Sequence, residues 1–260
     1  MCYLNFIGNF MSMLVSNDPM SEMDRHMIDI ICHSALVKPE LATNLISNDN
    51  GKIKKTVIFG KWHERPIEWW VLDTQTDKNL LLSRYALYLC PFHGIEAETA
   101  NNNPFRVRKL SATWKNSDIR FELNHSFLQD CFNDKERSLI LKGCAITQDN
   151  PKYFTNGCQN VEDYVFLLSS EEALYYLQDD MIRKTDSIFH DYHPANPWDA
   201  KKTEKIPFCW LRSPGEKDGY MTYINSVEPT DSVIKEISLE GADATTRGLI
   251  RPAMWISKII

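Results

Sequence analysis

The chain has 260 residues, of which 43% are hydrophobic and 25% are charged, a composition that excludes a disordered chain and fits a globular protein. Its 29 lysines and arginines against 35 acidic residues give a formal charge of −6, which argues against non-specific nucleic-acid binding. The seven scattered cysteines include no C-x-x-C pair, and no apolar run is long enough to span a membrane. We therefore expect a cytoplasmic protein with free thiols, and neither a nucleic acid nor a membrane as its partner.

Residues 1–50 differ from the rest of the chain, because they hold six acidic residues and only two basic ones. Ser21 followed by Asp24 is typical of a helix start, and the apolar spacing that follows predicts a helix over residues 21–36. Turn-forming residues at 47–51 then mark a boundary. We predict an N-terminal helical arm at residues 1–50, available for oligomerisation, and one domain at residues 51–260.

Short β-branched and aromatic runs after the boundary predict strands. The first three, at residues 56–60, 67–72 and 80–83, are expected to form an antiparallel meander with loops at 62–66 and 73–79. Further strands are predicted at residues 143–146, 163–168, 208–211 and 250–256, and a hairpin is predicted from 220–227 and 232–239.

Helices are predicted between these strands. Residues 117–132 form the clearest one, with Ser117 as its cap and an apolar face that includes Ile119, Leu123, Phe127 and Leu128. A second short helix begins at Asn133, and Ser169 with Glu172 has the spacing of a capping box that opens a third. Short strands with a few helices inserted between them predict an α+β fold.

Motifs for chemistry are sparse. No nucleophile elbow and no phosphate-binding glycine loop occurs in the sequence, so no catalytic residue is assigned. His190 and His193, three residues apart in the polar loop 186–205, are weak metal candidates that still need a third ligand. Loops at 196–199 and 228–230 offer oxygen atoms to Ca²⁺. We predict no cofactor, and keep Ca²⁺ or a transition metal as the alternative.

Arg212 and Arg251 lie within apolar runs, so both guanidinium groups are expected to be at least partly buried. A buried charge needs a partner. The candidate partners are Arg120, Asp163, Glu171 and Glu68, and we predict that Arg120, Asp163, Arg212 and Arg251 form structural ion pairs rather than a ligand site.

Seven segments carry a family resemblance, in the order 57–60, 67–72, 80–83, 114–124, 163–169, 210–215 and 250–256. Together they resemble a large bacterial and phage family of uncharacterised function, whose signature includes W-L-R-S-P-G and a closing R-P-A-x-W-I. The sequence departs from that pattern at Cys209 and around Gly248. The family in turn resembles C-type-lectin-like and sulfatase-modifying-factor-like proteins, which implies a twisted antiparallel β core with two or three flanking helices and long loops.

Three hypotheses for the function follow. The leading one is a non-catalytic module that binds an unknown protein or glycan ligand through the loops 92–103, 186–205 and 217–246. Tyr192, Trp198, Tyr220 and Tyr223 are the predicted aromatic contacts. The alternatives are a metal-dependent oxidase of the formylglycine-generating or sulfoxide-forming type, with its metal near His190 and His193, and a structural or virion-associated phage component.

Overall fold

The computed structural model describes residues 43–47, 53–94, 112–158, 160–183, 208–225 and 236–258. The strands of these residues are β1 (Thr43–Ser47), β2 (Ile53–Trp62), β3 (Arg65–Thr74), β4 (Lys78–Ser83), β5 (Tyr88–Pro91), β6 (Ile140–Leu141), β7 (Gly143–Ala145), β8 (Val161–Asp163), β9 (Val165–Phe166), β10 (Phe208–Pro214), β11 (Tyr220–Asn225), β12 (Ile237–Asp243), β13 (Arg247–Ile250) and β14 (Ala253–Ser257). The helices are α1 (Asp118–Asn124), α2 (Ser126–Cys131), α3 (Asp134–Leu139), α4 (Ser170–Tyr176) and α5 (Asp180–Arg183), and a 3-10 turn spans Trp114–Asn116.

The first sheet has seven strands in the order β1-β2-β3-β4-β14-β6, with β9 also paired to β14. The predicted meander is confirmed, since β2, β3 and β4 are antiparallel neighbours. The first predicted loop is shorter than expected: His63 and Glu64 form a two-residue turn with φ angles of 47° and 64°. β1, which falls in the predicted N-terminal arm, pairs with β2. The predicted helix at 21–36 lies outside the described residues.

The second sheet has five strands in the order β12-β11-β10-β13-β5. The predicted hairpin is confirmed as the antiparallel pair of β11 and β12. The prediction that residues 217–246 form one long loop is wrong, because the apolar side chains of Met221, Ile224 and Ile237 bury these two strands in the core. Gly248 permits close packing here: a Cβ at this position would lie 2.5 Å from the Phe208 ring and 2.5 Å from Trp210 Nε1.

The predicted final strand is divided at Pro252 into β13, in the second sheet, and β14, in the first. Proline lacks the N–H that a sheet ladder needs. Its carbonyl oxygen accepts a hydrogen bond from Ser83 N at 2.9 Å, so the crossing point is fixed to the end of β4. The segment from β13 through Pro252 to β14 therefore passes from the second sheet into the first.

Two other predicted elements are also divided. The helix predicted at 117–132 begins as expected, with Ser117 Oγ accepting a hydrogen bond from Arg120 N, but His125 (φ −123°, ψ −87°) separates α1 from α2. The strand predicted at 163–168 is interrupted because Asn124 Oδ1 accepts hydrogen bonds from the N–H groups of Tyr164 and Val165, at 2.8 and 3.2 Å. A helix side chain thus replaces part of a strand ladder.

The capping predictions for the other helices hold. The side chains of Asn133 and Ser169 accept hydrogen bonds from Glu136 N and Glu172 N, and both glutamates bond back to the cap residue. One hydrophobic core joins the two sheets and the helices, and its largest members are Trp69, Trp70, Trp114 and Trp210. The architecture is therefore α+β and mostly antiparallel sheet. No helix of the described residues has the length and apolar content needed to cross a membrane.

Candidate functional site

Arg212 lies on β10 and is only 1% exposed. Its guanidinium makes a bidentate ion pair with Glu172 at the start of α4, with N–O distances of 2.5 and 2.7 Å. It also donates to the carbonyl oxygens of Leu167 and Ile146, at 2.5 and 2.8 Å. The sequence named Glu171 as a candidate partner, and the structure places its neighbour Glu172 there, because that residue also closes the capping box with Ser169.

Arg120 and Asp163 form a second pair. Arg120 Nε lies 2.7 Å from Asp163 Oδ1, and Trp114 Nε1 donates to Asp163 Oδ2 at 2.8 Å. Burial raises the pKa of the Asp163 carboxyl, while the Trp114 hydrogen bond and the Arg120 charge oppose that rise. The pair therefore connects α1 to the end of β8.

Arg251 has a different environment. It is 5% exposed, and within the described residues its hydrogen bonds go to the carbonyl oxygens of Ser83 (2.8 Å), Arg84 (3.4 Å) and Arg183 (3.5 Å) rather than to a carboxylate. Burial lowers its pKa to about 10. Glu68, the remaining predicted partner, lies 2.5 Å from Arg84 Nη1 instead.

The most deeply buried ion pair among the described residues was not predicted from the sequence. Arg183 Nε, at the end of α5, lies 2.7 Å from Glu236 Oε2 just before β12, and the two side chains are 2% and 0% exposed. No local motif marks either residue. The only signal is that Glu236 falls inside an otherwise strand-like run, where a charge is unexpected.

Arg183 directly precedes segment 184–207, and Glu236 directly follows segment 226–235. Phe208 is the cross-strand partner of Asn225, and Ile224 is the partner of Ile237. The described ends of segments 184–207 and 226–235 are therefore neighbours, at a place we call the corner. Tyr192, Trp198, His190 and His193 belong to the first segment and lie outside the described residues.

A groove with a volume of about 300 Å³ lies beside the corner. We call it the β12 groove, and its described lining residues are Lys152, Asn225, Ile237, Ser238, Leu239 and Glu240. Glu240 Oε1 accepts from Lys152 Nζ at 3.2 Å and from Tyr153 Oη at 2.9 Å, and these bonds lower the pKa of the Glu240 carboxyl. The groove therefore presents a positive and a negative charge that are already paired.

The aromatic residues predicted on this hairpin lie at different distances from the groove. Tyr223 is the cross-strand partner of Ser238, and directly opposite side chains of an antiparallel pair share a face. Tyr220 is paired instead with Asp243 at the other end of β11, and Lys217 Nζ lies 4.1 Å from its ring centroid. Of these two tyrosines, Tyr223 is therefore the one that lies opposite a lining residue of the groove.

One wall of the groove comes from residues 150–155, which we call the Asn150 loop. The buried Asn150 side chain donates to the carbonyl oxygens of Pro214 and Leu239, at 2.9 and 2.8 Å, and so ties the loop to β10 and β12. Its Oδ1 accepts from Lys152 N at 2.9 Å. The loop presents Phe154, which is 82% exposed and has a φ of 56°. The sequence analysis did not single out this loop, although the Asn-Pro dipeptide at 150–151 is a turn signal.

Neither thiols nor metal ligands form a second centre in the part of the chain that the structure describes. Burial raises the pKa of Cys90 and of Cys131 to about 12, which keeps both sulfurs as unreactive thiols. Within the same residues, no group of three or more His, Cys, Asp or Glu side chains has the geometry to hold a metal ion.

The two large sheets, the buried ion pairs and a polar groove at one corner define an α+β domain. The sequence pattern of a family described as a domain of unknown function, DUF6273, matches residues 76–258, and the chain belongs to this family. The match begins just before β4 and ends after β14. Comparison with curated proteins and with solved structures finds no match in either group.

Proposed function

We propose that the chain is a non-catalytic binding module that recognises a protein or glycan ligand at the corner. The observation that carries this proposal is an open polar groove beside residues 183, 208, 225 and 236, the four neighbouring positions at which segments 184–207 and 226–235 join the described residues. Segments that share their points of departure from a rigid core can contribute to one recognition surface. A C-type-lectin-like fold, which the sequence resemblance implies, is part of the proposal because such folds carry long loops on a β core.

The buried ion pair at the corner supports this function. Arg183 and Glu236 hold the end of one segment against the end of the other, at 2.7 Å and out of contact with water. Fixing the points of attachment reduces the conformational freedom that a ligand has to remove on binding. The pair therefore acts as a structural anchor for the recognition surface.

The aromatic residues supply the proposed contacts. Tyr192 and Trp198 belong to segment 184–207, and Tyr223 lies beside the β12 groove. Large amphipathic rings dominate binding energy at many interfaces because they bury much area with little loss of side-chain freedom. Tyr220, at the opposite end of β11, is left out of the proposed contact set.

Two panels test the proposal: an array of immobilised glycans and a phage-displayed library of random linear peptides. Each is probed with the full chain, with the double variant Tyr192→Ala/Trp198→Ala and with Tyr175→Ala. Tyr175 lies on α4 and is 76% exposed, so it controls for the loss of an exposed aromatic ring elsewhere. We expect a ligand from at least one panel that binds roughly tenfold or more weakly to the double variant and normally to Tyr175→Ala.

Two results would contradict the proposal. One is the absence of any ligand from both panels, and the other is a ligand that binds the double variant as well as the natural sequence. Metal analysis of the purified protein adds a separate test, because a stoichiometric transition metal that is lost on His190→Ala would favour the oxidase hypothesis.

A further inference from the structure

We infer that the first half of β12 accepts an extended peptide segment of a partner protein as an additional strand. The inference rests on the proposed function, since it names the ligand class of the same corner. Within the described residues β12 pairs with β11 on one side and ends the five-stranded sheet on the other. An edge strand presents unpaired N–H and C=O groups, which an extended chain can satisfy.

The two halves of β12 differ in what their backbone contacts. In the second half, Leu239 O accepts a hydrogen bond from the Asn150 side chain at 2.8 Å, and Glu240 O accepts one from Glu216 N at 2.8 Å. These bonds occupy backbone carbonyl groups in the second half of β12. The first half begins with Ile237 and Ser238, which pair with Ile224 and Tyr223 of β11.

Strand geometry indicates how the first half can pair. In an antiparallel ladder, alternate residues direct their N–H and C=O groups to opposite sides of the strand. One of Ile237 and Ser238 therefore directs its backbone groups away from β11. Both residues also line the β12 groove, so the groove lies at this half of the strand.

The side chains around the groove favour a peptide over a charged small ligand. Lys152 and Glu240 are paired with each other at 3.2 Å, so the described lining of the groove carries no net charge for an ion to neutralise. Asn225 and Ser238 offer an amide and a hydroxyl, which suit peptide N–H and C=O groups. Phe154 lies two residues after the lining residue Lys152 and has an 82% exposed ring, and we assign it the apolar contact with a side chain of the peptide.

The first experiment examines the peptide. A peptide selected from the random library is synthesised with a single backbone N-methyl group at each position in turn, and its affinity for the full chain is measured by calorimetry. Strand addition predicts that every second methyl group weakens binding by roughly tenfold and that the methyl groups between them have little effect. An N-methyl scan without this alternation would overturn the inference.

The second experiment examines the protein. We expect Phe154→Ser to bind the same peptide roughly tenfold more weakly, and Tyr175→Ser, which removes a similarly exposed ring on α4, to bind it normally. In hydrogen exchange, one of the Ile237 and Ser238 amides should exchange rapidly in the free protein and become protected by the peptide. Equal losses in both variants, or no change in either amide, would contradict strand addition.

The outcomes separate this inference from the proposed function. Binding that depends on Tyr192 and Trp198 but shows no alternation leaves the binding module in place and removes strand addition. If neither panel yields a ligand, both fall. If both amides are already protected, and dilution to monomer exposes one of them, the edge belongs to a second copy of the chain and the peptide assignment is wrong.

Discussion

The two large sheets of this protein, apart from the small antiparallel pair of β7 and β8, are assembled in different ways. In the seven-stranded sheet, β1 to β4 follow one another along the chain and are neighbours in space, and apolar residues such as Leu81 fill its interior. The five-stranded sheet joins β5 to strands from the second half of the chain, and buried charges of distant residues pair around it. Local apolar patterning therefore accounts for much of the first sheet, whereas the second sheet shares the same core but also depends on ion pairs between residues far apart in the sequence.

Among the substitutions that test this contrast, removal of the corner ion pair should cause the largest loss of stability. Glu236→Ala removes a fully buried carboxylate from the Arg183 guanidinium, which keeps its contact with the more exposed Asp180, so we expect the free energy of unfolding to fall by about 3–5 kcal/mol in urea titrations. Glu162→Ala is the control, because Glu162 pairs with Lys142 at 3.2 Å on the surface, and its loss should leave the urea midpoint near that of the natural sequence. Equal midpoints for the two variants would show that burial gives the corner pair no special weight.

The second test creates a cavity in the first sheet by shortening a buried side chain. Leu81 on β4 has no exposed surface and lies between Val71 of β3 and Met254 of β14. Leu81→Ala should lower the free energy of unfolding by about 2–5 kcal/mol, through lost burial and an unfilled volume. We expect tryptophan fluorescence and circular dichroism to report one common transition, because one core joins the sheets. Two separate transitions would mean that the sheets unfold independently.

The smallest expected effect concerns Glu122 on α1. Burial raises the pKa of its carboxyl above the ordinary 4.5. Between pH 4.5 and the raised pKa, the folded state therefore binds more protons than the unfolded state. Stability due to this group is therefore present at low pH and is lost as the pH rises through that window. Glu122→Gln should raise the urea midpoint at neutral pH, and the gain should vanish below pH 4.5. A lower midpoint at neutral pH would show that the carboxylate makes a stabilising contact.

Much of the first sheet could be predicted from the sequence because its signals are local. The strands of the meander alternate or run apolar between turn residues, and Ser117, Asn133 and Ser169 mark helix starts by bonds to residues three positions away. Breaks in predicted elements were missed where a distant side chain causes them. Asn124, for example, interrupts the predicted strand at 163–168 from α1.

The candidate site was harder to predict for the same reason. The prediction that Tyr223 belongs to a binding surface stays a prediction; in the structure Tyr223 is the cross-strand partner of Ser238, which lines the groove. The sequence also suggested that Arg212 and Arg251 are buried, but their surroundings depend on segments that only the fold brings together. The Arg183–Glu236 pair and the Asn150 loop join residues that no short motif connects, so neither could be read from the sequence.

The crossing of the chain at Pro252 has a consequence for biosynthesis. β14 inserts between β4 and β6, yet a ribosome delivers it only after every other described strand has emerged. Until then, nascent β4 has an unpaired edge next to its apolar residues Leu80, Leu81 and Leu82, which makes it a target for chaperones and for aggregation. A premature stop codon before position 253 should therefore leave an insoluble product in cells, even though most of the hydrophobic core has been translated.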